Sequence, residues 1–203
     1  TLARLILGLL VHSKNKIRIK GDKSLSKRDF FRIIKPLKNF GAKFNSNNGK
    51  LPLDIVGTNY AKPINYIENR GSAQCKSSVM LAALNTKGTT SIKAKKSRDH
   101  SELLFKYLGL KIRINKKKKF DIIKINGREK IKPFNYNIPS DISSSAFFIV
   151  LTALSKNSKL RIKNVNVNPT RKDILKILKK MGVIVKLENK KNYKGEKIAD
   201  LII

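Results

Sequence analysis

The segment from Lys156 to Leu187 reads KNSKLRIKNVNVNPTRKDILKILKKMGVIVKL. It predicts a basic turn, a short strand, a polar loop ending in an arginine, an amphipathic helix that ends at a glycine, and a further strand. Two earlier segments, Lys14 to Phe44 and Lys87 to Ile114, have the same layout. The glycines that end the three helices, about seventy residues apart, are Gly41, Gly109 and Gly182. The chain therefore repeats a β-α-β-β unit at that period.

Each repeat also contains a second helix that is apolar or small on nearly every face. These helices are predicted over Leu2 to Leu10, Ser72 to Leu84 and Asp141 to Leu154. A helix that is apolar on all sides is normally buried. The predicted fold class is therefore α/β (α+β), with one inner and one outer helix per repeat packed against sheets around an approximate threefold axis.

A domain boundary is predicted near an Asn-rich extended run between Pro133 and Pro139. It gives a first domain of residues 1–137 with two repeats, and one further repeat, residues 138–203, in a truncated second domain. Thr1 lies in the middle of an apolar helix pattern, and Asp200 to Ile203 has the pattern of an unfinished strand. The sequence is therefore expected to be an internal fragment of a longer protein.

The charge of the chain allows a nucleic-acid-binding interpretation. There are 46 Lys and Arg residues against 13 Asp and Glu, which gives a formal net charge of +33. Lysine predominates, aromatic residues are only 7% and Trp is absent, whereas nucleic-acid binders favour arginine interleaved with aromatic side chains. A compositional bias is the preferred interpretation, and a basic nucleic-acid-binding repeat protein stays open as an alternative. The single cysteine, Cys75, excludes an internal disulfide and fits a reducing compartment.

The segment Gly71 to Ser77, GSAQCKS, opens the second apolar helix. Free backbone N–H groups and the positive end of the helix dipole suit an anion such as a phosphate there. Ser72 and Gln74 add hydrogen-bonding groups, and Lys76 adds charge. The alternative is that Ser72 is an ordinary N-cap, and spacing alone leaves both interpretations open.

Five motifs in the same order resemble the 5-enolpyruvylshikimate-3-phosphate (EPSP) synthase family, and the resemblance covers essentially the whole chain. The motifs are GDKSLSKR from Gly21 to Arg28, SAQCKS from Ser72 to Ser77, SRDHSE from Ser97 to Glu102, IPSDISSSAFF from Ile138 to Phe148, and NPTR from Asn168 to Arg171. The family fold has two domains, each of three β-α-β-α-β-β units with mixed sheets, and the active site lies in the cleft between them. The resemblance thus implies that this chain is an incomplete member of a two-domain enzyme.

The resemblance implies a transferase that moves the enolpyruvyl group of phosphoenolpyruvate to the 5-hydroxyl of shikimate 3-phosphate and releases phosphate, in the pathway to chorismate and aromatic amino acids. It implies no cofactor and no metal, small-molecule substrates, and no specific nucleic acid or membrane partner. It also implies a monomer in the cytoplasm. A sibling enolpyruvyl transferase acting on UDP-N-acetylglucosamine is the alternative enzyme, although the SAQ and SRDH motifs favour shikimate 3-phosphate.

The resemblance assigns roles residue by residue. Arg28 matches an arginine that binds phosphoenolpyruvate, although Asp29 departs from the proline that usually follows it. Ser72, Ala73 and Gln74 match the shikimate-3-phosphate site, with Gln74 near both ligands. Arg98 matches a position near the shikimate phosphate. Thr1 and Arg4 match the tail of a family motif, and no catalytic residue is expected within the chain, because the family's proton-transfer groups come later. The chain alone is therefore expected to be inactive.

Overall fold

The computed structural model describes residues 1–203, which form two compact units. Unit 1 comprises residues 1–97 and 109–131, and unit 2 comprises residues 98–108 and 132–203. The chain therefore passes between the units three times, because the segment 98–108 belongs to unit 2 while both its flanks belong to unit 1. The domain boundaries predicted from the sequence, 1–137 and 138–203, stay a prediction.

Unit 1 contains four helices and seven strands. The helices are α1 (Leu2–Leu10), α2 (Lys23–Ser26), α3 (Phe31–Asn39) and α4 (Ala73–Leu84). The strands are β1 (Lys16–Ile19), β2 (Lys43–Asn47), β3 (Lys50–Val56), β4 (Asn65–Glu68), β5 (Thr89–Lys95), β6 (Ile112–Lys116) and β7 (Phe120–Asn126). They form two sheets with the strand orders β1-β3-β2 and β4-β5-β7-β6. The second sheet is mixed, since β4 and β5 pair in parallel and its other neighbours pair antiparallel.

Unit 2 contains three helices and one sheet. The helices are α5 (His100–Tyr107), α6 (Ile142–Leu154) and α7 (Asp173–Lys180), and the strands are β8 (Arg161–Asn166), β9 (Lys186–Tyr193) and β10 (Glu196–Ile202). The strand order is β8-β10-β9, and a parallel bridge joins Ser140 to Val165 of β8. Hence β1-β3-β2, β5-β7-β6 and β8-β10-β9 share one arrangement, in which the last strand of each repeat is central. This confirms the repeated fold class.

The inner helices of unit 1 pack at close range. The α4 residues Cys75, Val79, Met80, Ala82 and Ala83 are buried, and α1 lies against this helix. A Cβ added to Gly8 of α1 would lie 2.1 Å from the carbonyl oxygen of Ser78 on α4. Only glycine therefore allows the two helix backbones to approach this closely.

The prediction that all three apolar helices are buried holds for α4, holds only in part for α1, which exposes Leu2 and Leu9, and is wrong for α6. Ile142 and Ile149 face the core of unit 2. However, Phe147 and Leu154 are each 80% exposed, and Phe148 and Leu151 are also exposed. A helix is buried on every side only when neighbours cover every side, as α1, α3, β5 and β7 surround α4. The chain supplies no such neighbours for the outer face of α6.

Each central strand carries one buried aspartate. Asp54 on β3 accepts hydrogen bonds from Nε and Nη2 of Arg18 at 2.7 and 3.0 Å, and Lys16 Nζ lies 3.1 Å away. Asp121 on β7 accepts from Lys96 at 2.7 Å, and Asp200 on β10 accepts from the backbone N–H of Asn164 at 2.9 Å. The hydrogen bonds from Arg18, opposed by burial, lower the pKa of Asp54 to about 2. Its ionised form is therefore favoured in the folded chain.

We expect Asp54→Asn to lower the melting temperature at neutral pH, because Arg18 and Lys16 lose their shared carboxylate. The folded pKa of Asp54 is about 2, below the value of about 3.9 of an unfolded aspartate. The stabilisation is therefore fully present above about pH 4 and is lost as the pH falls towards 2. Thermal unfolding of both proteins across this range should show two melting temperatures that converge in acid.

The control for this prediction is Asp173→Asn on α7. Asp173 pairs with Lys176 at 2.8 Å, but both side chains are largely exposed. Exposed pairs of this kind contribute little to stability, so the melting temperature should hardly change. A gap between the parent and Asp54→Asn that stays constant down to pH 2 would contradict the prediction.

Candidate functional site

A cavity of about 360 Å³ opens in unit 1 beside the first residues of α1 and α4. Its lining combines a threonine, a serine, an amide and two arginines with one acidic residue. The lining residues are Thr1, Ala3, Arg4, Asp22, Ser24, Leu25, Arg28 and Gln74. Of the residues predicted to bind ligands, Arg28 and Gln74 are thus brought together in one cavity, with Ser72 and Ala73 next to Gln74 along the chain.

The loop before α4 is organised by the buried carboxylate of Glu68. Its oxygens accept hydrogen bonds from the backbone N–H groups of Arg70 and Ser72, at 3.1 and 3.0 Å. Ser72 is the N-cap of α4, and its hydroxyl accepts from the N–H of Cys75 at 3.3 Å. Ser72 is therefore the N-cap of α4, while its role in binding a ligand stays a prediction. The N–H groups of Ala73 and Gln74 remain as the donors of this helix terminus, which is where helices bind anions.

Arg4 connects the two helix termini through Gln74. Its Nη1 donates to Gln74 Oε1 at 2.6 Å, and its Nη2 donates to the carbonyl oxygen of Asp29 at 3.2 Å. Gln74 Nε2 in turn donates to Thr1 Oγ1 at 2.9 Å. The guanidinium of Arg4 also lies over the ring of Phe30, 5.5 Å from its centroid. These contacts fix the amide of Gln74 at the wall of the cavity.

Positive charge is concentrated around this amide. Arg4 is only 8% exposed. Burial, followed by the charges of Arg32 and Arg28, lowers the pKa of Arg4 below its ordinary value. Such a cluster of guanidinium groups, partly removed from water, is stabilised by an anion. Arg28 is exposed, and its guanidinium forms no hydrogen bond or ion pair within the chain, so its five donors can face a ligand.

The loop that carries Arg28 is held by two aspartates. Asp22 caps α2, and its Oδ1 accepts from the N–H of Leu25 at 2.6 Å. Asp29 Oδ1 accepts from the N–H of Phe31, the first residue of α3, at 2.6 Å. The departure from proline at position 29 therefore leaves the turn after Arg28 held by a side-chain hydrogen bond instead of a ring.

Arg98, the remaining predicted ligand, belongs to unit 2 and is exposed. It immediately precedes Asp99, the N-cap of α5, whose Oδ1 accepts from Asn168 Nδ2 at 2.9 Å. His100 Nδ1 lies 2.5 Å from Glu196 Oε1. Burial raises the pKa of Glu196, but hydrogen bonds from His100, Asn166 and Asn168 outweigh it and lower the pKa below its ordinary range. His100 thus packs in a polar cluster within unit 2.

The sequence did not indicate Glu68, and it placed Arg4 in a family motif without assigning it a role. Glu68 lies at the end of a short strand, and nothing in the local pattern distinguishes it from a solvated acid. Arg4 lies on an apolar helix, where a buried charge is unusual without a partner. An arginine in such a helix was therefore the feature of the sequence that could have indicated a buried contact. No three His, Cys, Asp or Glu side chains lie close enough to hold a metal ion. None of the helices has the length and apolarity needed to cross a membrane.

Comparison with known proteins gives one consistent family. The sequence profile of the family described as EPSP synthase (3-phosphoshikimate 1-carboxyvinyltransferase) matches residues 1–200. A 3-phosphoshikimate 1-carboxyvinyltransferase from Ruthia magnifica subsp. Calyptogena magnifica is 43% identical over all of this chain and 46% of its own length. One from Endomicrobium trichonymphae is 39% identical with the same coverage. The chain therefore spans about half the length of the curated relatives that it matches.

Solved structures agree with these sequence relatives. An EPSP synthase from Acinetobacter baumannii has a TM-score of 0.82 and 37% identity, covering 99% of this chain and 45% of that one. The enolpyruvyl transferase NikO from Streptomyces tendae has a TM-score of 0.65 at 16% identity, covering 96% of this chain and 45% of that one. This second likeness concerns the fold alone.

Proposed function

Because the chain belongs to the EPSP synthase family, we propose that it contributes the phosphoenolpyruvate and shikimate-3-phosphate contacts of a 3-phosphoshikimate 1-carboxyvinyltransferase. The observation that carries the proposal is the Arg4–Gln74–Thr1 network in a cavity that also exposes Arg28. Both substrates are small phosphorylated anions, and phosphoenolpyruvate carries a carboxylate as well. Arginine forks and free helix N–H groups are the donors that such anions need.

In the proposed assignment, Arg28 and Gln74 contact phosphoenolpyruvate, while Ser72, Ala73, Gln74 and Arg98 contact shikimate 3-phosphate. Residues 1–137 belong to the first domain of the enzyme and residues 138–203 to the second. The working protein is a cytoplasmic monomer without a nucleic-acid or membrane partner.

The proposed mechanism uses this chain for binding and orientation. The 5-hydroxyl oxygen of shikimate 3-phosphate adds to C2 of phosphoenolpyruvate while a proton adds to C3, so that the double bond opens and the hydroxyl loses its proton. Phosphate then leaves C2 as a proton leaves C3, which re-forms the double bond. Arg28 holds the carboxylate or phosphate of phosphoenolpyruvate, so that C2 stays near the accepting hydroxyl. Gln74 presents an amide edge whose oxygen and nitrogen are fixed by Arg4 and Thr1. Because this amide is already held in place, it orients the two substrates without losing conformational entropy of its own on binding.

The proposal is tested with a chimera in which this chain replaces the matching residues of the Acinetobacter baumannii synthase. Phosphate release that requires both phosphoenolpyruvate and shikimate 3-phosphate is expected. A folded chimera that binds neither substrate by calorimetry would overturn the proposal. Release with UDP-N-acetylglucosamine as the acceptor would instead favour the sibling transferase.

We expect Gln74→Ala in this chimera to lower mainly the affinity for shikimate 3-phosphate, by about tenfold. The substitution removes the amide edge and leaves Arg4 Nη1 without its acceptor. Calorimetric titration with each substrate separately measures the effect. Asn85→Ala removes an exposed amide at the other end of α4 and is the matched control.

Gln74→Glu separates a binding role from a structural one. A glutamate keeps an acceptor for Arg4, so the melting temperature should be retained, but its charge repels an anionic ligand. Parent-like affinity for shikimate 3-phosphate in both variants would remove Gln74 from the site.

A further inference from the structure

Helix α5 belongs to unit 2 although its flanking strands do not. Strands β5 and β6, which precede and follow it along the chain, both pair with β7 in unit 1. The segment 98–108 that joins them is nevertheless part of unit 2. Contacts within unit 2 must therefore fasten α5, and through it the position of Arg98.

These contacts come from the turn of the β9–β10 hairpin, Tyr193 to Glu196, which we call the hairpin clamp. Lys194 and Gly195 have φ angles of 50° and 89°, the left-handed pair of a two-residue hairpin turn. Successive clamp residues meet α5 at Tyr107, Leu103 and His100. Spacings of four and three residues place those three side chains on one helix face.

The first contact is polar and lies at the start of α5. Glu196 Oε1 lies 2.5 Å from His100 Nδ1, and its Oε2 accepts from Asn168 Nδ2 at 3.3 Å. Asn168 Nδ2 also donates to Asp99 at 2.9 Å. Its orientation is fixed, because Asn168 Oδ1 accepts from the backbone N–H of Thr170 at 2.8 Å and that group can only donate. The buried amide of Asn168 therefore bridges Asp99, which precedes His100 in the chain, and Glu196, which contacts the His100 ring.

The second contact is steric and lies in the middle of α5. A Cβ added to Gly195 would lie 3.1 Å from the carbonyl oxygen of Leu103. The positive φ of this residue already favours glycine. The turn therefore lies directly against the helix backbone.

The third contact is a cation among aromatic rings at the end of α5. Lys194 Nζ lies 5.9 Å from the ring centroid of Tyr107, 5.7 Å from that of Tyr136 and 5.4 Å from that of Tyr193. These distances are within the range of cation–π attraction.

The same turn also holds the connection that leads into unit 2 at residue 132. Lys194 Nζ donates to the carbonyl oxygen of Asn135, and the hydroxyl of Tyr193 accepts from the N–H of Asn137 at 3.0 Å. The rings of Tyr136 and Tyr193 meet edge to face, with centroids 5.5 Å apart. One turn thus fastens both segments that continue into unit 1.

We propose that the hairpin clamp positions Arg98 through Glu196, together with Asn168, which lies outside the clamp. Glu196 and Asn168 are the positioning residues. Glu196 and Asn168 hold Asp99 and His100, the two residues that directly follow Arg98, so they set the backbone from which the Arg98 side chain extends. The clamp itself rests on contacts within unit 2. Its effect on ligand affinity rests on the proposed function, in which Arg98 contacts the phosphate of shikimate 3-phosphate.

The clamp is tested by Glu196→Gln in the 203-residue chain, with amide hydrogen exchange as the measurement. The amides of Leu103 to Leu108 are expected to exchange about 10 to 100 times faster, because a buried charge-assisted hydrogen bond is lost. The amides of β5 and β7 should not change. The chain has two histidines, so the imidazole signals of His100 are readily assigned and should shift.

Glu188→Gln is the matched control, because Glu188 lies in the same hairpin and pairs with Arg161 at 2.5 Å on a more exposed surface. Exchange within α5 that is the same in Glu196→Gln and Glu188→Gln would overturn the clamp. If Glu196→Gln does not fold, Tyr107→Ala replaces it, since Tyr107 is partly exposed. Faster exchange of the Lys106 to Leu108 amides is then expected, and unchanged exchange overturns the clamp.

The positioning step is tested by titrating the chain with shikimate 3-phosphate and following backbone chemical shifts. Arg98→Ala and Glu196→Gln should each weaken binding about tenfold, and the double variant should be no weaker than Arg98→Ala. If Arg98→Ala weakens binding of shikimate 3-phosphate and Glu196→Gln does not, the positioning role is overturned. The proposed function of Arg98 is then unaffected. No loss in Arg98→Ala would remove Arg98 from the proposed site and overturn positioning with it, while the exchange result for the clamp still stands.

Discussion

Replacing Arg28 with alanine is expected to weaken phosphoenolpyruvate binding and to slow turnover together, each by about 10 to 100 times. Arg28 is exposed at the cavity and forms no hydrogen bond or ion pair within the chain. Its loss therefore costs little stability but removes the fork that a carboxylate or phosphate would engage. Hydrogen bonds to a charged partner contribute about 1.5–3 kcal/mol, and each 1.4 kcal/mol is tenfold in affinity. Calorimetry and phosphate-release kinetics of the chimera measure both effects.

Lys27→Ala is the matched control for the charge lost in Arg28→Ala. Lys27 is the preceding residue, is also exposed, and does not line the cavity. Any general attraction of anions by the +33 chain is reduced equally in both variants. Equal effects of the two substitutions would therefore attribute the role of Arg28 to net charge, and normal kinetics in Arg28→Ala would remove it from the site.

The repeated architecture could be predicted from sequence because each repeat carries its own local signals. A glycine ends the outer helix of each unit, and Asn48-Gly49 marks a hairpin. Helix periodicity is a pattern among neighbours along the chain, so it can be recognised without knowledge of the tertiary fold. The exposed face of α6 could not be predicted, because burial depends on a partner from elsewhere. The membership of α5 in unit 2 could not be predicted either. It depends on contacts with the turn at Lys194 and Gly195, about ninety residues further along the chain.

The candidate site was partly predictable for a similar reason. Ser72 and Gln74 follow a glycine at the start of an apolar helix, a pattern that predicts either an anion-binding terminus or an ordinary N-cap. The contact that orients Gln74 comes from Arg4, 70 residues away along the chain. Glu68, which bonds the N–H of Ser72, resembles any acid at a strand end until the loop is folded. Sequence motifs therefore indicated the candidate ligand groups, but they did not indicate Glu68 or the contact between Arg4 and Gln74.

The second large effect on ligand affinity is expected from Arg4, because its two hydrogen bonds use both terminal nitrogens of a planar guanidinium. Nη1 reaches Gln74 at 2.6 Å while Nη2 reaches the carbonyl oxygen of Asp29 at 3.2 Å. The single ammonium of a lysine cannot reproduce this planar pair of donors. We therefore expect Arg4→Lys to lower the affinity for shikimate 3-phosphate about tenfold, although the net charge is unchanged. The effect acts through a Gln74 amide that is free to rotate.

Arg4→Ala should go further, because it removes the charge and leaves Gln74 Oε1 without its donor. A destabilisation of about 1.5–3 kcal/mol is expected, measured by chemical unfolding, together with weaker binding of both substrates. Arg32→Lys and Arg32→Ala are the matched controls, since Arg32 contributes charge to the same cluster but forms no hydrogen bond to Gln74. If Arg4→Lys binds both substrates as the parent does, the paired guanidinium donors are not required and Arg4 acts only as a nearby charge. If Arg4→Lys loses affinity while Arg32→Lys does not, the orientation of Gln74 rather than the total charge determines binding at this cavity.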